Sequence, residues 1–303
     1  MAQNFPKGSC LTQSGDLSLR GAYKGHSVSI GASGGYLQIN VLGRLQVAND
    51  ANHPITVTRG KHLHLLALLL MRRNDPVRPD WLIDRLWNGE PPRSAASNLK
   101  TYITQLRRIL PTGRLGTEPG AYVFQVKDSE LDAAIFDDLA SRGRLALAHG
   151  WHSAALQAFE RALELWQGDP LQQLACEGEL AAWRDQLIED FNSVSEELFE
   201  IHLTVGRHAQ LVGRLRSWTR LHPLRERSHA QLMLALHRSG RTPEALEVYS
   251  DLRRRLIEEF GAEPAPAIQD LQRKILNPDA SLGFAPTTEQ IVLRVRETML
   301  RLT

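Results

Sequence analysis

At 303 residues the chain has room for two domains, and an apolar content of 42% is enough to give each a core. The net charge of +2 conceals a division: residues 37–127 carry 13 Lys/Arg against 6 Asp/Glu, a balance of +7, whereas residues 128–276 carry 17 against 24, a balance of −7. The basic part suits contact with a polyanion, and the acidic part suits a protein partner. Cys10 and Cys176 are far apart with no paired spacing, which argues against a disulfide framework and a zinc site. The N-terminal stretch has no apolar run of the secretory kind, and the longest apolar run, Leu65 to Met71, is too short to cross a bilayer. A cytoplasmic protein without a membrane partner is the expectation.

Residues 1–36 are rich in Gly and Ser, poor in large aliphatics, and read as a disordered leader. Leu37, Ile39, Val41, Leu45 and Val47 keep odd positions apolar, which predicts a strand over 37–47; Ile55-Thr56-Val57-Thr58 predicts a second short one. Arg59 to Arg73, apolar nearly all round, predicts a central core helix. Pro79 starts a short helix that ends near Trp87, with Asn88-Gly89 and Pro91-Pro92 as punctuation.

The stretch Leu86 to Leu110, LWNGEPPRSAASNLKTYITQLRRIL, carries the most chemistry. A helix over 94–110, with Ser94 as its N-cap, places Leu99, Tyr102, Ile103, Leu106 and Leu110 on one side. Ser97, Thr101, Thr104 and Arg108 fall opposite, flanked by Lys100, Gln105 and Arg107, with no acid on that face. A short helix, a turn and a longer helix with hydroxyls and cations outward suit a helix-turn-helix that reads the major groove. A basic amphipathic helix taken alone is more simply a solvated face. Gly113 to Lys127 then reads as a hairpin, with Glu118-Pro119-Gly120 at its tip and Tyr122 to Val126 returning. Strands, three helices and a hairpin are the order of a winged helix-turn-helix. Its candidate DNA contacts are Arg93, Ser94, Ser97, Lys100, Thr101, Thr104, Gln105, Arg107, Arg108, Arg114 and Tyr122.

Beyond residue 130 helical periodicity dominates. Gly206-Arg207-His208 recurs 34 residues later as Gly240-Arg241-Thr242, and Ala155-Leu156 with Phe159 matches Ala245-Leu246 with Tyr249. That period and the small-residue positions are signatures of tetratricopeptide-like helix pairs, here degenerate because Leu211 replaces the Ala. Gly261 closes the last long helix, and Ala267 to Leu276 adds a short one. In the tail, Ile291, Val292, Val295, Met299 and Leu302 are spaced as in an apolar helix face. The fold class expected is mainly α: a winged helix with small β elements over 37–127, then an all-α repeat domain over 131–276, then a tail over 277–303.

These residues resemble the SARP family, the Streptomyces antibiotic regulatory proteins, over about residues 37–276. LWNGEPPRSAASNLKTYITQLRRIL looks like the family's recognition-helix region. HPLRERSHAQLMLALHRSGRTPEALEVYSDLRRRLIEEFGAEPAPAIQDLQRKIL looks like the end of its bacterial transcriptional activator domain. The resemblance implies an OmpR-type winged helix on tandem direct repeats near a promoter, as a homodimer on DNA. It also implies contact of the helical domain with RNA polymerase holoenzyme, including the sigma factor, and activation of a secondary-metabolite (antibiotic) gene cluster by a nucleoid-associated protein. Larger relatives add an ATPase module, but no GxxxxGK[ST] run occurs in this sequence. The wing departs from the family's RPPGY-like pattern, reading Glu118-Pro119-Gly120-Ala121-Tyr122, which sets a carboxylate where a cation commonly meets phosphate. Arg114, at the hairpin base, is the candidate substitute.

Other constellations read as structural. His62 with His64 and His149 with His152 lack the further ligands a metal needs. Trp81 and Trp87 suit seam packing; Trp151, Trp166, Trp183 and Trp218 suit wedges between helices. Arg253-Arg254-Arg255 suits a solvated face. No nucleophile, base or paired-carboxylate arrangement stands out, so neither an enzyme nor a cofactor is expected. Two further classes stay open: a helical-repeat adaptor, and a ligand-gated repressor using the same DNA-binding domain.

Overall fold

Apolar residues hold the odd positions from Leu37 to Val47 except at Gly43, and the chain turns back around that glycine. β1 (Leu37–Asn40) and β2 (Gln46–Asn49) form an antiparallel hairpin in which Leu37 pairs with Asn49 and Ile39 with Val47. In that register odd residues face odd residues, so both strands bury the same parity and one long strand could not be told from two. The expected single strand over 37–47 is thus a hairpin, turned at 41–45. The expected strand at 55–58 is reduced to the Ile55 N–H donating to Val47 O at 2.7 Å and a bridge between Ala48 and Pro54. Pro54 has no N–H with which to extend a ladder.

The structure, a computed structural model, describes residues 36–57 and 60–277. The leader before Tyr36, Thr58, Arg59 and the tail after Asn277, with its apolar positions from Ile291 to Leu302, lie outside those residues.

α1 (Lys61–Met71) buries Leu63 and every residue from Leu65 to Leu70, which makes it the axis of the N-terminal half. α2 (Pro79–Leu86) begins on the proline that pre-sets its first turn, and α3 (Ala95–Ile109) packs across both. β3 (Leu115–Glu118) and β4 (Ala121–Phe124) pair through a two-residue turn, with Glu118 opposite Ala121. Gly120 takes φ +75° there, a conformation that costs a side-chain-bearing residue more than glycine. Val77 exchanges two backbone hydrogen bonds with Tyr122, of 2.8 and 2.9 Å, and so adds a third chain segment to the wing sheet through an antiparallel bridge.

The rest is helical: α4 (Asp132–Ala148), α5 (His152–Glu164), α6 (Gly178–Thr204), α7 (His208–Leu221), α8 (Glu226–Arg238), α9 (Thr242–Phe260) and α10 (Pro266–Leu276). The repeat seen in the sequence is a repeated turn. Gly150, Gly206 and Gly240 each end a helix at positive φ, and the following N–H of Trp151, Arg207 or Arg241 reaches back to Ala146, His202 or Leu236. That is the Schellman closure, which satisfies carbonyls the helix end leaves over. The small and the aromatic positions of the repeat are both inside: Ala155, Phe159 and Ala245 are fully buried, and Tyr249 nearly so. Trp166 and Trp218 join Phe191 in an aromatic run between helices, as wedges should. Trp151 does not; it is 59% exposed and stacks on His149, because its place after Gly150 puts it at the tip of the α4–α5 turn.

The two halves share one core. Leu131 is fully buried and bridges Ile39 in parallel, ahead of α4. The Asp132 carboxylate accepts the N–H groups of Val41 and Leu42 at 2.9–3.0 Å, capping the β1–β2 turn. Gln173 brackets Leu45, accepting from its N–H and donating to its carbonyl at 3.0 and 2.9 Å. Glu179, at the start of α6, pairs with Arg85 at 2.6 Å and Arg72 at 3.2 Å, whose guanidinium groups both lie over the Trp81 ring. A second core, from Phe199 and Leu203 through Ile275, belongs to α6–α10.

Candidate nucleic-acid interface

α3 is amphipathic as the sequence predicts. Leu99, Ile103 and Leu106 are buried against α1 and α2, and Tyr102 is half-buried, stacked on Trp87 at 6.3 Å. Arg93, Ser94, Ser97, Lys100, Thr101, Thr104, Gln105, Arg107 and Arg108 are all exposed, so the structure gathers nine of the eleven candidates on one side. No acid occurs between Glu90 and Glu118. Arg93, Lys100 and Arg108 form no ion pair among the described residues, whereas Arg253, Arg254 and Arg255 each face an acid, Glu263, Asp251 and Glu259. The triple-arginine run is therefore a solvated, charge-paired face, and the cations of α3 keep their charge outward.

Local hydrogen bonds decide what the hydroxyls can do. Thr101 donates to Ser97 O at 3.0 Å, Thr104 to Lys100 O at 2.8 Å and Ser97 to Ser94 O at 2.8 Å. Each proton is thus spent on the helix itself, leaving acceptor lone pairs and, for the threonines, methyl groups. Ser94 sits at the N-cap position but does not cap: its φ of −86° and ψ of 5° turn Oγ away from the first-turn N–H groups, and it accepts from Asn98 Nδ2 instead.

The side chains at the margins of α3 are positioned by other elements. Arg107 donates to Leu115 O at 2.9 Å and Thr117 Oγ1 at 2.5 Å, with its guanidinium 5.9 Å from the centre of the Tyr122 ring. It therefore ties the wing to the helix, and Tyr122 serves as its platform. His62 of α1 holds Gln105 through a contact of Nε2 with Oε1 and packs on Tyr102. Lys61 lies over Trp87 and donates to Leu86 O, fixing the end of α2.

Arg114 is placed elsewhere than expected. It is 5% exposed, and its guanidinium grips the Glu130 carboxylate, itself 1% exposed, and donates to Gln125 O. Burial pushes the Glu130 carboxyl up, but Arg114 and the N–H groups of Lys127 and Leu37 outweigh it and hold the group below its ordinary value. An inward-facing, paired guanidinium cannot stand in for the cation missing at the tip. Glu118 is exposed there, as the sequence implies.

Comparison with known proteins places this architecture. Residues 131–276 match the family described as bacterial transcriptional activator domain. The chain is 36% identical over 257 residues to the regulatory protein DnrI of Streptomyces peucetius, covering 81% of this chain and 94% of DnrI. The chain belongs to the SARP family. The relatives it matches are regulatory proteins. The regulatory protein AfsR of Streptomyces coelicolor is 37% identical over 275 residues, 88% of this chain but 27% of AfsR, so the chain spans about a quarter of that relative's length. A solved structure of Mycobacterium tuberculosis EmbR in complex with low affinity phosphopeptide superposes with a TM-score of 0.77 at 27% identity, covering 88% of this chain and 71% of that one. No described helix is long and apolar enough to cross a membrane.

Two features of this SARP were not found from its sequence. The Arg114–Glu130 pair joins residues with no shared periodicity, and only the Asp128-Ser129-Glu130 run ahead of a helix hints at a structured junction. His62 is silent in sequence because its partner, Gln105, lies 43 residues away.

Proposed function

We propose that the outward face of α3 enters the major groove of promoter DNA, with Ser97, Lys100, Thr101, Thr104 and Arg108 toward base edges and Arg93 and Ser94 toward phosphate. The observation that carries this reading is that face itself: exposed, free of acid, with unpaired cations, on a helix whose other side is locked to α1 and α2. Residues 37–127 form the DNA-reading module. Residues 131–276, with an excess of acid, form the module that meets the transcription machinery: RNA polymerase holoenzyme, including its sigma factor. Two copies bind tandem direct repeats as a homodimer on DNA, and the output is activation of a secondary-metabolite gene cluster from a nucleoid-bound protein.

The test uses the full chain. Duplexes are selected from a randomised pool, and the log of affinity is then followed against the log of salt concentration. About four to six phosphate contacts per protomer predict a slope of roughly −4 to −5 for each bound protomer, and about twice that for the homodimer. Purified polymerase on a promoter carrying the selected site then gives more transcript with the protein than without it. A slope near zero refutes DNA binding, and less transcript makes the protein a repressor.

A further inference from the structure

Gln105 sits at the edge of the exposed face of α3, and His62, the second residue of α1, meets it there. His62 Nε2 contacts Gln105 Oε1, and the His62 ring packs tilted against Tyr102 with centroids 4.5 Å apart. A carboxamide has two unlike ends, an oxygen that only accepts and a nitrogen that only donates. Because an amide oxygen only accepts, the contact takes the Nε2–H form of the imidazole, and with that N–H against Oε1 the NH2 group of Gln105 faces outward. Adenine is read by glutamine through both ends at once, the oxygen accepting from N6 and the nitrogen donating to N7. With Oε1 drawn back toward α1, that two-point contact is lost. What remains outward is a pair of donors, which matches the O6 and N7 acceptors of guanine. The neighbouring threonines cannot supply those donors, because their hydroxyl protons are committed to Ser97 O and Lys100 O.

We infer that His62 is a positioning residue that fixes the polarity of Gln105, so that Gln105 selects guanine over adenine at one position of the binding site. The inference rests on the proposed entry of α3 into the groove, and it extends the reading surface to a residue of α1 that itself touches no base.

The experiment measures base preference in the full chain, one position at a time, on the duplex selected from a random pool. Gln105→Ala identifies the position by abolishing a preference of roughly tenfold for guanine there. His62→Lys keeps a donor against Oε1 and preserves the preference. His62→Glu offers only acceptors, turns the NH2 group inward and Oε1 outward, and shifts the preference to a base that presents a donor, adenine or cytosine. Because preference is a ratio at one position, any uniform weakening from the added carboxylate cancels. If Gln105→Ala abolishes a preference while His62→Glu leaves guanine favoured, the positioning role is overturned and the groove reading stands. A Gln105→Ala variant that changes no position, beside Thr104→Ala and Arg108→Ala variants that do, also overturns it. If none of these variants alters any position, the groove reading fails and the inference with it.

Discussion

Replacing Arg114 by alanine separates a structural cation from a DNA-contacting one. The guanidinium meets both oxygens of Glu130, which also accept the N–H groups of Leu37 and Lys127 at 3.1 and 2.9 Å. Removing the cation leaves a buried carboxylate with two backbone donors and no counter-charge. Breaking a buried pair from one side costs about 3–5 kcal/mol, more than an exposed ion pair supplies. Urea denaturation of Arg114→Ala should show that loss. The salt slope of DNA affinity should stay unchanged, whereas each lost phosphate contact would lower it by about 0.9. Because Glu130 is held below its ordinary value in the fold, its share of stability is present above the usual carboxylate range and is lost as pH falls through the folded value. The variant should therefore lose its disadvantage in acid. The double replacement Arg114→Met with Glu130→Leu, which buries no charge, should recover much of the stability. Wild-type stability for Arg114→Ala, together with a slope reduced by about 1 for each bound protomer, would refute the structural assignment and return Arg114 to the phosphate backbone.

Glu118→Arg at the wing tip should tighten binding to all duplexes without changing the preferred sequence, as measured by competition against random DNA; weaker binding would mean that Glu118 has a specific partner. Gly143→Ala should destabilise the helical half, because the added Cβ would lie 2.3 Å from Cε1 of the fully buried Phe159. Overpacking of about 1–3 kcal/mol then competes with a gain of about 1 kcal/mol in helix propensity, so a net gain in a urea melt would disprove the clash. The His202 imidazole is pushed down to about 4 by burial and by Arg207 and Arg214, so its share of stability is present above the ordinary histidine value of 6.5 and is lost as pH falls toward 4. Across that window wild type should lose about 3 kcal/mol relative to His202→Gln. Comparing the two proteins removes the opposite trend of Asp132, whose carboxyl burial lifts to about 6.

How much of this was legible in the sequence depended on the range of the interactions. The buried face of α3 was readable because Leu99, Ile103 and Leu106 repeat at helical spacing, and the wing tip because Pro119-Gly120 encodes its own turn. The hairpin hidden in residues 37–47 was not, since a register that pairs odd with odd preserves the alternation of a single strand. Arg114 looked like any cation near a wing until Glu130 was placed against it. Trp151 looked like a wedge because bulk and apolarity do not say on which side of a turn a residue falls. In each miss the deciding partner was a backbone group or side chain that a one-dimensional pattern does not bring near.

The joint at Leu131 has a consequence for geometry along the genome. Since Asp132 caps the β1–β2 turn and Gln173 brackets Leu45, the helical repeats have no tether on which to swing. In the proposed complex their angular position about the duplex axis is then set by the groove that α3 enters. Five base pairs inserted between the binding site and the promoter, about half a helical turn, carry the whole acidic surface to the far side of the DNA, and about ten bring it back. For such a molecule the distance between operator and promoter acts as a phase.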